Sequence, residues 1–182
     1  MQVNNTLIDV VRGSVAEQSV DAIVNAANTS MRGGGGIDGA IHRAAGKGLM
    51  AELQRVAPHG AKTGNVVVTG AHKLPQKYIF HTAGPVWNGG LKNEKEHLAR
   101  CYRSSIALAD ERGLESIAFC SISTGVYRFP IDQAAPLAVD TVVSFLQDHP
   151  ETNLKRVVFA MFGDKEYDEF FSALETKEIE LL

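Results

Sequence analysis

The densest concentration of residues able to do chemistry runs from Ile23 to Gly46, IVNAANTSMRGGGGIDGAIHRAAG, where an apolar strand leads through a polar turn into four glycines and then a helix. Each glycine loses more backbone entropy on ordering than any other residue, so four in succession make sense where chain must lie against a ligand with no Cβ in the way. A diphosphate suits such a place. Successive N–H groups cradle its oxygens, and the helix N-terminus that follows presents about half a positive charge to them. A merely flexible loop is a poorer reading, because such loops are seldom squeezed between an apolar strand and an amphipathic helix. Asn25 and Asn28 need partners, since a buried amide left unpaired costs about 1–3 kcal/mol; they bind backbone, as turn asparagines do, or they bind ligand. Asp38 reads either as the helix N-cap or as a carboxylate that orients or deprotonates a water. His42 and Arg43 read as surface or supporting helix residues and are assigned no role.

The segment Cys120–Pro130, CSISTGVYRFP, repeats the device: an apolar strand, hydroxyls, Gly125 where backbone can come close, then two aromatics. A second phosphate-facing loop is the economical reading, although Ser121, Ser123 and Thr124 also fit as turn hydroxyls. No Gly-x-Ser-x-Gly elbow accompanies them, which argues against a serine nucleophile. His81, in HTAGPVW, reads as a satisfied core histidine, and the six histidines lack ligand spacing for a protein-built zinc site. Phe162 stands where the last apolar run, ending FAMF, leaves the sheet; there it either stacks on a base or packs in the core.

Gly34-x-Gly36-x-x-Gly39 formally satisfies the dinucleotide fingerprint. That motif expects a tight turn directly after the strand and an acidic residue about 20 residues later. Here NAANTSMR precedes the glycines, and the corresponding later stretch, APHGAKTGN, has no acid. A Rossmann enzyme is therefore disfavoured.

These loops must be carried by strands. Runs at Leu7–Val11, Ala22–Val24, Val66–Thr69, Tyr78–His81, Ser116–Cys120 and Arg156–Met161 scarcely alternate and predict about six strands, mostly buried on both faces. Helical periodicity covers Asp38–Ala45, roughly Gly48–Val56, Glu94–Arg112, Ile131–Gln147 and Glu166–Leu174, with Gly113 closing one helix and Pro130 opening the next. The link GAHKLPQK is too short for a helical crossover and suits an antiparallel pair, so a mixed sheet is expected. The tail LETKEIELL is expected to be a frayed helix end.

With 182 residues, 45% of them hydrophobic and 21% charged, the chain can bury one substantial core, and one domain over 1–182 is expected. No apolar run is long enough for a bilayer, and MQVNNTLIDVVRG lacks the order of a secretory signal, so a cytoplasmic location with no membrane partner is expected. Cys101 and Cys120 sit in apolar runs and read as core. A net charge of -3 with interspersed signs argues against nucleic acid as a partner.

The sequence VNAAN, then GGGGIDGAIHRAAG, HTAGP and STGVYRFP, resembles macrodomains of the MacroD type, close to bacterial O-acetyl-ADP-ribose deacetylases, over about residues 7–174. The resemblance implies a three-layer α/β/α fold whose glycine loops grip the diphosphate of ADP-ribose. It implies that Asn28 and Asp38 line the distal ribose as the catalytic pair, and that Phe162 stacks on adenine. The ligand-facing set it implies is Ser14, Val15, Asn25, Gly33, Gly34, Gly35, Gly36, Ile37, Ser123, Thr124, Gly125, Val126, Tyr127, Arg128 and Phe162. The implied reaction is metal-free and cofactor-free hydrolysis of an ester on the distal ribose by a bound water. O-acetyl-ADP-ribose and mono-ADP-ribosylated Asp or Glu side chains are the substrates it implies, and a monomer is expected.

The chain departs from the family's pattern in two places. The family commonly carries Gly-Asp-[Ile/Val]-Thr where this chain has Gly13, Ser14, Val15 and Ala16, so a charged acceptor for the adenine amino group has become a hydroxyl. Hydrogen bonds to charged groups contribute about 1.5–3 kcal/mol against about 1 for neutral ones, so weaker base discrimination is expected. Arg128 stands where glycine is common, either clamping the diphosphate or pointing to solvent. The rival reading is a module that binds ADP-ribose without turning it over; a phosphatase finds no nucleophile or metal cluster in the sequence.

Overall fold

The computed structural model describes Met1–Leu182. Along the chain run β1 (Gln2–Val3), β2 (Thr6–Arg12), β3 (Ala22–Ala27), α1 (Gly36–Ala45), α2 (Lys47–Val56), β4 (Val66–Gly70), β5 (Tyr78–Ala83), α3 (Glu94–Glu111), β6 (Ser116–Phe119), α4 (Ile131–Asp148), β7 (Arg156–Met161) and α5 (Asp164–Glu180). The strands form one sheet in the order β1-β2-β7-β6-β3-β5-β4. Pairing is antiparallel at β1/β2 and β4/β5 and parallel between the rest, so the sheet is mixed as expected. The expected six strands are all present; the seventh is the two-residue β1, too short to leave a periodic signal.

Parallel strands buried on both faces cannot alternate, and β5 and β7 each bury five of six residues. Crossovers of this kind are right-handed. The chain moves one way along the sheet from β3 to β5 and the other way from β5 to β6 and from β6 to β7, which puts α1 and α2 on one face and α3 and α4 on the other. The contacts agree: α1 packs on α2, while α3, α4 and α5 pack in series, giving three layers. Between sheet and second helix layer lies an aromatic spine of Tyr102, Phe119, Phe159 and Phe170, with successive ring centroids 5.3, 5.7 and 5.3 Å apart.

Two helix boundaries differ from expectation. α1 starts at Gly36 with Gly35 as its N-cap, so Asp38 lies inside the first turn and is no cap. α5 runs through the expected frayed tail to Glu180, where Lys177 reaches Asp140 of α4 at 3.1 Å and Glu180 at 3.6 Å. No helix is long and apolar enough to cross a membrane. Because β2, β7, β6, β3 and β5 are mutually parallel, their carboxyl ends share one edge of the sheet, the edge at which open α/β folds place ligands.

Candidate functional site

At that edge two cavities of about 420 and 490 Å³ lie side by side. The first is walled by Ala26–Asn28 at the end of β3, Gly34–Asp38, Gly84, and Ser121–Ser123 with Gly125–Tyr127. The second is walled by Gly13–Val15, Ala40, Ile41, Arg43, Thr124, Ala160–Gly163 and Glu166. Gly36, Ile37, Ser121 and Gly125 line both, so the two glycine loops face each other across a shared waist.

The first loop is held down from both ends. Asn28 donates from Nδ2 to the Gly33 carbonyl at 2.9 Å, and its Oδ1 accepts from the Met31 N–H at 3.2 Å and from the Ser30 hydroxyl. Asn28 therefore binds backbone as turn asparagines do, and it also forms part of the cavity wall. A Cβ on Gly39 would lie 2.7 Å from the Gly34 carbonyl oxygen, so only glycine in α1 allows the loop to rest on the helix. A Cβ on Gly34 would sit 3.3 Å from Asp38 Oδ2 and 3.4 Å from Asn28 Nδ2. Asn28 and Asp38 thus flank one glycine in the first cavity, although ten residues separate them in sequence.

Asp38 is 5% exposed. Its Oδ1 accepts from Asn25 Nδ2 at 2.7 Å, and His42 Nε2 stands 3.4 Å away, one helical turn on. Asn25 has no exposed surface and lines neither cavity; its Nδ2 also lies 3.0 Å from His81 Nδ1, while His81 Nε2 lies 2.9 Å from Thr69 Oγ1. Burial, helped by His42, pushes the His81 imidazole down to about 3, so it is neutral. His81 is the satisfied core histidine that the sequence suggests.

The second loop is pinned by backbone. Phe129 N–H donates to the Ser123 carbonyl at 2.9 Å, Trp87 N–H to the Tyr127 carbonyl at 2.8 Å, and the Trp87 and Phe129 rings pack at 4.7 Å. Ser121 and Thr124 share a hydroxyl–hydroxyl bond, while the buried Ser123 hydroxyl has no partner and lies at the first cavity wall. Arg128 is exposed and lines neither cavity, which is the solvent-facing alternative. Its φ of +63° lies in the left-handed region that favours glycine. Gly33, at φ +86°, also lies behind the wall rather than in it. Val126 is 91% exposed at the rim.

In the second cavity Phe162 is 83% exposed, so it is no core residue but a free aromatic face at the rim. Val15 is buried in the wall, and Ser14 Oγ accepts from the Ala16 N–H at 3.2 Å while lining the cavity. The sequence reading left His42 and Arg43 as surface or supporting helix residues and did not single out Glu166. For His42 a signal existed, the i,i+4 spacing from Asp38; for Glu166 and Arg43 only the fold brings the side chains to the cleft. No three His, Cys, Asp or Glu side chains converge as a metal-binding group.

Fold and cleft together define an α/β protein with a two-chambered, glycine-walled crevice at the carboxyl ends of its strands. The Macro domain family model matches residues 24–138, and the chain belongs to that family. A Macro domain-containing protein of Chlorobaculum tepidum is 46% identical over 171 residues, covering 94% of this chain and 97% of its own. Human ADP-ribose glycohydrolase MACROD2 is 42% identical over 182 residues, covering 95% of this chain and 42% of its own length. The Oceanobacillus iheyensis macrodomain solved with ADP superposes with a TM-score of 0.91 at 37% identity, covering 100% of this chain and 96% of that one.

Proposed function

We propose that this chain binds ADP-ribose along the two-chambered cleft and hydrolyses an ester at the distal ribose. The diphosphate occupies the waist, where Gly36, Ile37, Ser121 and Gly125 meet and the α1 N-terminus points. Adenine enters the second cavity against Phe162, and the distal ribose enters the first. The family resemblance, the ADP held by the Oceanobacillus relative and the name of the human relative support ADP-ribose as the ligand, and the exposed Phe162 ring at the second cavity supports this polarity.

The observation that carries the catalytic reading is the placement of Asn28 and Asp38 on either side of Gly34 at the first cavity. A water held by Asp38 attacks the carbonyl carbon of an ester on the distal ribose. The acyl C–O bond to the ribose breaks, the ribose oxygen leaves as a hydroxyl with a proton drawn from that water, and the acid is released. Asn28 holds the loop that fixes the sugar, so much of the rate comes from positioning. The substrate class comprises O-acetyl-ADP-ribose and mono-ADP-ribosylated Asp and Glu side chains, which present similar esters to the same cavity.

Asp38→Ala tests this reading. Release of acetate from O-acetyl-ADP-ribose should fall by at least about a hundredfold, while calorimetry with ADP-ribose should show affinity within a few-fold of the unmutated chain. An unchanged rate constant would overturn the assignment.

A further inference from the structure

The polar side chains beneath Asp38 form a continuous buried line that the hydrolysis itself does not use. Thr69 on β4, His81 on β5 and Asn25 on β3 are at most 1% exposed, and Asn25 and His81 are direct partners in the β3/β5 register. Resting on the proposed hydrolysis, we infer that His81 is a positioning residue: anchored by Thr69, it fixes which way the Asn25 amide points and thereby holds one oxygen of the Asp38 carboxylate, leaving the other free toward the first cavity.

The two ends of an asparagine amide have nearly the same shape, so packing alone does not set its orientation. Hydrogen-bond direction does. Thr69 donates its single hydroxyl proton to the Gly70 carbonyl at 2.9 Å and is left an acceptor toward His81 Nε2. His81 therefore carries its proton on Nε2 and is an acceptor at Nδ1. Asn25 meets that nitrogen at 3.0 Å and Asp38 Oδ1 at 2.7 Å, so the group between them must be the NH₂, which has two donors to give. As it stands the amide leaves only its own Oδ1 buried without a partner; turned over, it would set that oxygen against two acceptors in a dry site, which is costlier still. A protonated His81 would offer a donor at Nδ1 and upset the same order; the depressed basicity of the ring keeps it neutral. With Oδ1 held from below, Oδ2 is the oxygen that remains beside Gly34 at the cavity wall.

The test pairs two substitutions at Thr69 with a direct reading of the ring. In the full chain without substrate, imidazole ¹⁵N shifts should show His81 protonated on Nε2 alone. Thr69→Val, close in shape but lacking the acceptor, should lower kcat for O-acetyl-ADP-ribose by about tenfold while KM and ADP-ribose affinity stay within about twofold. Thr69→Ser, which restores the hydroxyl, should return kcat to within about twofold of the unmutated value. A purely structural role for Thr69 predicts the reverse ranking, since serine leaves the larger void. A proton on Nδ1, or valine and serine variants with equal kcat, would overturn the inference. If the unmutated chain binds ADP-ribose without turnover, the hydrolysis reading fails, and the ¹⁵N measurement still decides the orientation of the line.

Discussion

His81 lies wholly out of water between Asn25 and Thr69, and its neutrality couples stability to pH. The ring's basicity is lowered from 6.5 to about 3 in the folded chain, so below pH 6.5 the unfolded chain takes up a proton that the folded one refuses. The contribution is fully present above pH 6.5 and is lost as pH falls toward 3. Between pH 7 and pH 5 that one group should remove about 2 kcal/mol of stability. Urea unfolding of the unmutated chain and of His81→Gln at both pH values checks this: the pH-dependent loss should be smaller in the variant by roughly that amount, and equal losses would show that His81 titrates normally. At the same scale, Asn25, Asn28 and Asp38 were legible as residues needing partners, because unpaired buried polar groups are costly. Which partners they take was not legible: Asn25 turned inward to Asp38 and His81, Asn28 bound its own loop, and His42 came within 3.4 Å of Asp38 although nothing but spacing hinted at it.

The contact between α1 and the first glycine loop is the element on which the cleft depends. A glycine-to-alanine change inside a helix ordinarily gains about 0.5–1 kcal/mol through backbone entropy. Gly39 should reverse that sign, because its Cβ would meet the Gly34 carbonyl at 2.7 Å and backbone cannot step aside cheaply. Gly39→Ala should destabilise the chain by about 1–3 kcal/mol and weaken ADP-ribose binding by at least about tenfold, read by urea unfolding and calorimetry. A variant as stable and as tight as the unmutated chain would show that loop and helix do not press together. The elements themselves were read correctly where burial and period agree, as in β5, β7 and α4. Errors fell at boundaries: Gly35 took the cap that Asp38 resembles, and α5 outlasts its apolar pattern because Lys177 ties it to Asp140.

Across the whole molecule, a ligand in the waist bridges the loop after β3 to the loop after β6, and so links the elements on both faces of the sheet. ADP-ribose at a hundredfold over its Kd should stabilise the folded chain by about 2.7 kcal/mol. For a chain of this size that corresponds to a rise in Tm of about 5–10 °C by calorimetry or fluorescence. Adenosine alone, filling one cavity and leaving the waist empty, should give a smaller rise at equal concentration; equal rises would place the grip elsewhere. By itself the sequence determined the layer class, the mixed sheet and the two glycine loops, because these follow from local facts: apolar period, link length and the entropy of glycine. Only the tertiary structure decided that the loops share one waist, that Phe162 stands free instead of packing inward, and that Arg128 faces solvent. It also decided that Asp38 is held from below by a line reaching from β3 to β4. Those outcomes depend on which strands become neighbours, and hydrogen-bond direction across strands leaves no trace in the spacing along one.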